Sequence, residues 1–283
     1  MLPKADLHIH TTFSDGKLDP VEAVEIAVEK KLSALSITDH DTYEGYFAAK
    51  ERADELGIQL IPGVEITSSY KNRESHILAY FFNTDTQFFA DFFISQRIER
   101  RNRIKGIIQR LNGIGLIVDY DEVRAEANGA NIGRPHLAKV LVNKGYARNH
   151  HDAFDRYLST EKLGEINQNY PEVSRVIETI RSIGGAAVLA HPAKFYSEKE
   201  IEEFIKLGID GIECIHPSHN FTLQKKYTAI CEKNALLITG GSDYHGGKEM
   251  AKRHLGVVSV ALKHVDKMNR MCEQRKQIVE LKN

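Results

Sequence analysis

Cysteine is scarce in this chain, and that scarcity removes whole classes of protein from consideration. Only Cys214, Cys231 and Cys272 occur among 283 residues, far apart and without C-x-x-C spacing. That pattern argues against a disulfide framework or a zinc ribbon and fits a reduced, cytoplasmic chain. No run of about 18 apolar residues exists, so no membrane span is expected, and residues 1–6 lack the long apolar run of a secretory leader. Charge of one sign is lacking too, because the formal net charge is -1; no global field attracts nucleic acid or membrane. No GxxxxGK[ST] occurs, so a P-loop is absent, and Ser242 beside Asp243 reads as a turn residue rather than a nucleophile. What remains is a composition of 42% hydrophobic and 27% charged residues, suited to a globular chain with a full core. The 13 histidines are an excess that asks for a local explanation.

Short apolar runs alternate with helical periods over the first third. Residues 5–9, 34–38, 58–65 and 75–81 read as strands, and residues 20–31 and 45–56 as helices. Asp19 caps the first helix with Pro20 in its first turn, and Gly57 stops the second. This order predicts parallel pairing with right-handed crossovers. Residues 88–113 read as helical and strongly basic, further helices follow at 120–127, 135–145 and 151–159, and no strand interrupts them. A helical insertion over residues 88–164 is therefore expected inside a barrel built from residues 1–87 and 165–283. In the last third, helices at 174–183, 198–207, 221–233 and 265–281 alternate with strands at 186–190, 211–215, 235–239 and 257–260. The fold class expected is α/β, with about seven barrel-type strands.

In barrels of this kind functional groups sit at the carboxyl ends of the strands. His8 and His10 end the first strand, two residues apart and hence on one face. Asp15 follows in a Ser14-Asp15-Gly16 turn, His40 follows the second strand, Glu65 ends the third and His76 lies in the fourth. His191 follows the fifth run, and Asp243 and His245 follow the run from Leu236 to Ser242. Singly, each has an ordinary meaning. An isolated histidine is most often structural, a Glu at a strand end is salt-bridged or solvated, Asp15 is first of all a turn former, and Asp39-His40-Asp41 can cap the next helix. Jointly, independent accidents would not keep choosing the same end of a barrel. Imidazole and carboxylate together hold zinc, manganese or iron, ions that generate a hydroxide nucleophile from water near neutral pH.

The segments Asp6-Leu7-His8-Ile9-His10-Thr11, Ser14-Asp15-Gly16, Thr38-Asp39-His40-Asp41, Pro62-Gly63-Val64-Glu65, Leu189-Ala190-His191-Pro192 and Gly241-Ser242-Asp243-Tyr244-His245-Gly246 together resemble the PHP (polymerase and histidinol phosphatase) superfamily. Ile132-Gly133-Arg134-Pro135-His136-Leu137-Ala138, and Gly211-Ile212-Glu213 with His216-Pro217-Ser218-His219, are similar to its TrpH-like phosphoesterases. That branch includes RNase AM-type 5′-to-3′ exoribonucleases and nucleotide phosphatases. The resemblance implies a distorted seven-stranded, TIM-like (β/α) barrel with up to three divalent ions, manganese foremost, with iron or zinc as alternatives. It also implies a ligand scheme: His8, His10, Glu65 and Asp243 for one ion, Asp15, His40 and His245 for a second, and Glu65, His76 and His191 for a third, Glu65 bridging. Tyr244 stands where Phe is common in the family.

The chemistry so implied is phosphate-ester hydrolysis by metal-bound hydroxide. Asp6 and Asp41 are candidates for orienting the histidines. Arg134, just ahead of Pro135 at a helix start, is placed to take a phosphate bidentately with help from the helix amino end; His136 and His219 are further substrate-binding candidates. The basic run of Arg97, Arg100, Arg101, Arg103, Lys105 and Arg110 has the common meaning of a solvated helix face and the rarer one of a surface for a polyanionic strand. Phe88, Phe89, Phe92 and Phe93 precede it at helix-packing spacing. The leading reading is a metal-dependent phosphoesterase acting on small nucleotides or on the 5′ ends of short RNA, as a 5′-3′ exoribonuclease or nucleotide phosphatase. Its partner is then a nucleotide or short 5′-phosphorylated oligonucleotide, with no protein partner inferred. Two alternatives are a metal-stabilised nucleic-acid-binding module without turnover and a phosphatase of a small molecule such as histidinol phosphate; the Gly-Arg-Pro-His segment disfavours the latter.

Overall fold

Local signals set most element ends. The computed structural model describes residues 3–163, 170–193, 195–246 and 254–281. Its first third runs β1 (Lys4–Ile9), α1 (Pro20–Glu29), β2 (Ala34–Ile37), α2 (Glu44–Leu56), β3 (Gln59–Tyr70) and β4 (Arg73–Tyr80). The Asp19 carboxylate accepts the Val21 N–H at 2.8 Å, and Glu22 reaches back to the Asp19 N–H, closing a capping box on α1. Gly57, at φ 67°, ends α2 in the left-handed conformation that glycine adopts without strain.

The helical middle comprises α3 (Gln87–Gly113), α4 (Tyr120–Ala127), α5 (Arg134–Asn143), α6 (His150–Ala153) and α7 (Thr160–Leu163), with a π-helical turn over Phe154–Leu158 between the last two. These elements pack around a cluster of their own, including Ile107, Leu111, Val123, Leu137, Leu141 and Leu158, and no strand lies between β4 and the next strand among the described residues. The alternation resumes with α8 (Val173–Ser182), β5 (Ala186–Leu189), α9 (Glu198–Lys206), β6 (Gly211–Ile215), α10 (Phe221–Lys233), β7 (Leu237–Gly240), β8 (Val260–Ala261) and α11 (Leu262–Glu280). Among the described residues no helix is long and apolar enough to cross a membrane, and the three cysteines are free and buried.

Eight strands among the described residues form one sheet in the order β7-β6-β5-β4-β3-β2-β1-β8. Pairing is parallel for β1–β2, β2–β3, β5–β6 and β6–β7. It departs from the expected parallel order at β4, which is antiparallel to both β3 and β5. The reason is local. β3 runs on five residues past Glu65 and turns through Lys71 and Asn72, at φ 50° and 59°. Two successive positive φ values make a two-residue type I′ hairpin, whose twist suits adjacent antiparallel strands. The eighth strand is only two residues long and lies antiparallel on the amino end of β1.

The remaining edge of β1 closes the barrel. At its carboxyl end the His10 N–H donates to the Tyr244 carbonyl at 2.8 Å, and Ile9 bridges to Tyr244. Inside the barrel, Leu7, Ile61, Leu78, Tyr80, Val188 and Leu237 pack with Val265 and Met268 of α11. Outside, α8, α9 and α10 cover one side and α1 and α2 the other. Closure is tight at Gly241, where a Cβ would fall 2.3 Å from the His8 nitrogen and 2.5 Å from its Cβ. Gly241→Ala is therefore expected to lower stability by about 1–3 kcal/mol, the usual cost of overpacking. Urea unfolding measures this, and an unchanged midpoint would show that the seam yields.

Candidate metal centre

The loops at the carboxyl ends of the strands are folded by buried carboxylates. After β1, the Ser14 and Gly16 N–H groups both donate to the Thr11 carbonyl at 3.0 Å, and Gly16 lies so close to His10 that a Cβ would meet its carbonyl carbon at 2.3 Å. Asp39 pins this turn, accepting the Thr11 N–H at 2.7 Å and the Thr11 and Ser14 hydroxyls at 2.6 Å each. The turn swings Asp15 back over His10. His40 bridges to Glu65 directly after β2. His76, paired with Thr67 across the hairpin, stands diagonally opposite Glu65. His191 and Asp243 follow β5 and β7 at positive φ, 23° and 49°, a conformation sparsely populated by non-glycine residues.

All nine expected ligand residues meet at this end of the barrel. Glu65, 1% exposed, lies at the centre. Its Oε2 is 3.3 Å from His8 Nε2, 3.2 Å from His10 Nε2 and 3.3 Å from His40 Nδ1. Its Oε1 is 3.0 Å from His76 Nδ1 and 2.8 Å from His191 Nε2. Asp243 Oδ1 is 3.3 Å from both His8 Nε2 and His10 Nε2, and Asp15 reaches His245 Nε2 at 3.4 Å, His10 Nδ1 at 3.7 Å and His40 Nε2 at 3.9 Å. Glu65 sits mid-strand rather than at a strand end, because β3 continues into the hairpin.

Hydrogen bonds behind the cluster decide which ring nitrogens face it. Glu213 Oε1 lies 2.9 Å from His8 Nδ1, and its Oε2 accepts the His191 N–H at 2.7 Å. Glu74 holds His76 Nε2 at 3.1 Å, and the Asp243 carbonyl takes His245 Nδ1 at 2.8 Å. With those nitrogens as donors, the lone pairs of His8 Nε2, His76 Nδ1 and His245 Nε2 turn toward the carboxylates. Asp6 and Asp41, the expected orienting groups, touch no histidine ring. Asp6 accepts the backbone N–H groups of His8, Ser242 and Gly256, while Asp41 binds Thr67 and Arg100. Glu213 stood out only within the Gly211-Ile212-Glu213 motif, with no role assigned, and neither Asp39 nor Glu74 carried any signal of its role. His216, whose Nε2 lies 3.2 Å from Asp243 Oδ2, stood out only within its motif.

Burial opposes charge throughout; the pairings outweigh it at Glu65, Asp15, His76 and His245, whereas at His40 burial prevails and pushes the imidazole well below its usual range. The imidazoles, His76 foremost, hold the Glu65 carboxyl well below the usual carboxylate range, and His245 foremost does the same for Asp15. Against the same burial, Glu65 and Glu74 lift His76 to about 10, and Asp15 and Asp243 lift His245 to about 10. A bound cation takes the place of those protons, so such a nest of inward-facing imidazole nitrogens and carboxylates suits divalent cations. Four groups have their ligand atoms within 4.8 Å of one another: His10 with Asp15, His40 and His245; His8 with His10 and Asp243; His8 with Glu65 and His191; and His40 with Glu65 and His76. Among the described residues Asp15 Oδ1 and His40 Nδ1 are buried without a hydrogen-bond partner, as expected of atoms that face a cation.

The substrate-binding candidates divide. Arg134 lines a cavity of about 80 Å3 beside the cluster, together with Asp15, His40, His76, Arg100 and Arg103. Its Nη2 is 2.8 Å from Glu74 Oε1 and its Nη1 donates to the Leu158 carbonyl at 3.2 Å. His136 Nδ1 accepts the Gly133 N–H at 3.0 Å and so caps α5. His219 is buried, with Nε2 accepting the Ala193 N–H at 2.8 Å and Nδ1 at 3.0 Å from the Cys214 carbonyl. Both its nitrogens are taken by backbone, so it fixes a loop and offers nothing to a ligand. In the basic run, Arg100 pairs with Asp41 and Arg103 with Glu74 and the Tyr170 hydroxyl, which turns part of that helix face inward.

Comparison with known proteins adds a second line of observation. Residues 6–186 match the family model of the PHP domain. A 5'-3' exoribonuclease of Haemophilus influenzae is 33% identical over 250 residues, covering 87% of this chain and 91% of that protein. A 3',5'-nucleoside bisphosphate phosphatase of Chromobacterium violaceum is 29% identical over 255 residues, covering 87% and 90%. A crystal structure from Bifidobacterium adolescentis, described as a candidate metal-dependent phosphoesterase, superposes with a TM-score of 0.83 at 30% identity, covering 94% of this chain and 96% of that one.

Glu213→Gln removes the carboxylate from His8 Nδ1 and the His191 N–H while keeping the side-chain shape. Divalent-metal affinity is expected to fall about 10–100-fold, as for other residues that orient ligands, with circular dichroism unchanged. Titration calorimetry with manganese measures it, and an unaltered affinity would mean that packing alone orients His8.

Proposed function

The chain belongs to the PHP domain family and is a metal-dependent phosphoesterase; from that premise we propose that it hydrolyses phosphate esters of small nucleotides or of the 5′ ends of short RNA. The observation that carries this reading is the convergence of imidazoles and carboxylates beside a cavity lined by guanidinium groups. We assign His8, His10, Glu65 and Asp243 to one divalent ion, Asp15, His40 and His245 to a second, and Glu65, His76 and His191 to a third, with manganese as the ion. His10 faces two of these groups, Nε2 toward Glu65 and Asp243 and Nδ1 toward Asp15; we assign Nε2 as its ligand atom. Ions bound there activate water near neutral pH and offset charge on phosphoryl oxygens.

The chain's own groups prepare the rest. Glu213, Glu74 and the Asp243 carbonyl fix the ring orientations. Arg100, Arg103 and Arg134 form the far wall of the cavity. Arg103 Nε and Nη2 are buried without a hydrogen-bond partner among the described residues, and a buried donor calls for an acceptor. Phosphoryl oxygens supply acceptors of the right charge, and guanidinium groups aimed at them from a site screened from water stabilise the charge that develops during transfer. The cavity is small and walled on one side by helical elements, which favours the end of a strand over its interior.

With manganese, the purified protein is expected to release nucleotide or phosphate from at least one of a 5′-phosphorylated oligoribonucleotide, AMP and a 3′,5′-bisphosphate nucleotide, and to lose this activity to a chelator. Asp243→Asn and His10→Ala should each lower the rate by more than the roughly 100-fold typical at most of ligand-orienting residues. Chromatographic product analysis separates the exonuclease from the mononucleotide phosphatase. Inactivity on all three substrates would overturn the nucleotide assignment.

A further inference from the structure

A second, larger concavity adjoins the metal centre on the side of α3 and α4. It encloses about 910 Å3. Its inner end is formed by Thr12 and Phe13, which lie between His10 and Asp15, and by Thr42, two residues after His40. Asn131 ties its floor to the same backbone: Nδ2 donates to the His40 and Asp41 carbonyls at 2.8 and 3.1 Å, and its N–H donates to the Phe13 carbonyl at 3.1 Å. Ile132 lines both this groove and the central cavity. The groove therefore starts where the phosphoryl site ends.

Its charge is one-sided. Among the described residues, Arg97, Arg101, Lys105 and Arg124 line it against a single carboxylate, Glu44, although the chain as a whole carries a net charge of -1. Arg97, Arg101 and Lys105 are spaced four apart on α3, so they form one stripe with steps of about 6 Å along the axis. Arg97 is paired with Glu44 and bonds Thr42 Oγ1 at 3.2 Å. Arg101 has no ion pair among the described residues, and Lys105 lies 5.0 Å over the Tyr120 ring. Among the described residues Arg124 meets only Asp121, at 3.7 Å on the open surface. Arg100 and Arg103, on the inward side of the same helix, are by contrast tied to buried partners. The rings of Phe13 and Tyr120, both half-buried, supply apolar faces along the cationic stripe. A positive groove with interspersed rings suits a single strand of nucleic acid, since backbone phosphates take the charges and bases take the rings.

We propose that this groove holds the sugar-phosphate backbone of a single-stranded RNA whose 5′-terminal nucleotide, with its linkage to the next, lies at the metal centre. This rests on the phosphoesterase reading and selects the oligonucleotide over the mononucleotide within it. The test is the double variant Arg101→Ala/Lys105→Ala, both exposed side chains on the outer face of α3. With manganese, kcat/KM on a 5′-phosphorylated 12-nucleotide RNA is expected to fall about 10-fold through KM, while kcat/KM on a 3′,5′-bisphosphate nucleotide stays unchanged. In metal-free buffer, fluorescence anisotropy of the same labelled RNA is expected to show weaker binding and a salt slope reduced by about 1.4, from two lost phosphate contacts at roughly 0.7 each. Equal effects on both substrates, or no effect on either, would overturn the proposal, as would wild-type protein that fails to bind the RNA. If wild-type protein binds RNA through these residues yet hydrolyses nothing, the groove stands and the phosphoesterase reading falls.

Discussion

The buried carboxylate of Glu65 is the constraint on which the rest of the site depends. Five imidazoles crowd around its two oxygens, from β1, the end of β2, β4 and the end of β5. An ionised group taken out of water carries a penalty of several kcal/mol unless it is paired and hydrogen-bonded. The surrounding rings supply the pairing, and they in turn need partners behind them, which Glu213 and Glu74 provide. The site is therefore layered, with carboxylates inside, imidazoles around them and carboxylates again outside. Each layer requires the next, and this explains why so many titratable groups sit at the end of the barrel without unpaired charge.

Much of this was legible in the chain. His8 and His10 were placed on one strand face by their spacing, and Asp15 by its turn. Element ends fixed by local chemistry were also readable, as with the Asp19 capping box and the Gly57 stop. The antiparallel β4 was not, because order of elements alone cannot distinguish a hairpin from a crossover when the turn is two ordinary polar residues. Lys71-Asn72 lacks the glycine that usually marks a type I′ turn. The short β8 was anticipated as a last strand at 257–260, beyond the seven barrel-type strands, and forms at Val260–Ala261 instead.

The outer carboxylates were the harder part of the site. Glu74 resembles any charged residue near a hairpin tip, and its partners His76, Arg103 and Arg134 come from elements far apart in sequence. Asp39 reads as a cap for α2 and instead pins the loop after β1. Likewise the basic helix has no uniform meaning: one side joins buried ion pairs and the other faces an open groove. Periodicity shows that two sides exist, and only the packing shows what each one meets.

The shared edge of β1 has a consequence for the polypeptide as a whole. Its carboxyl end is bonded to Tyr244 and its amino end to β8, while His8 faces Asp243. A cation gripped by those two residues is a clasp between opposite extremities of the polymer, and it encircles almost every element between them. Entropic cost rises only slowly with the length of chain enclosed, so a tie across so large a loop restrains the unfolded ensemble more than a local one does. The reaction centre and the fastening of the fold are then the same knot.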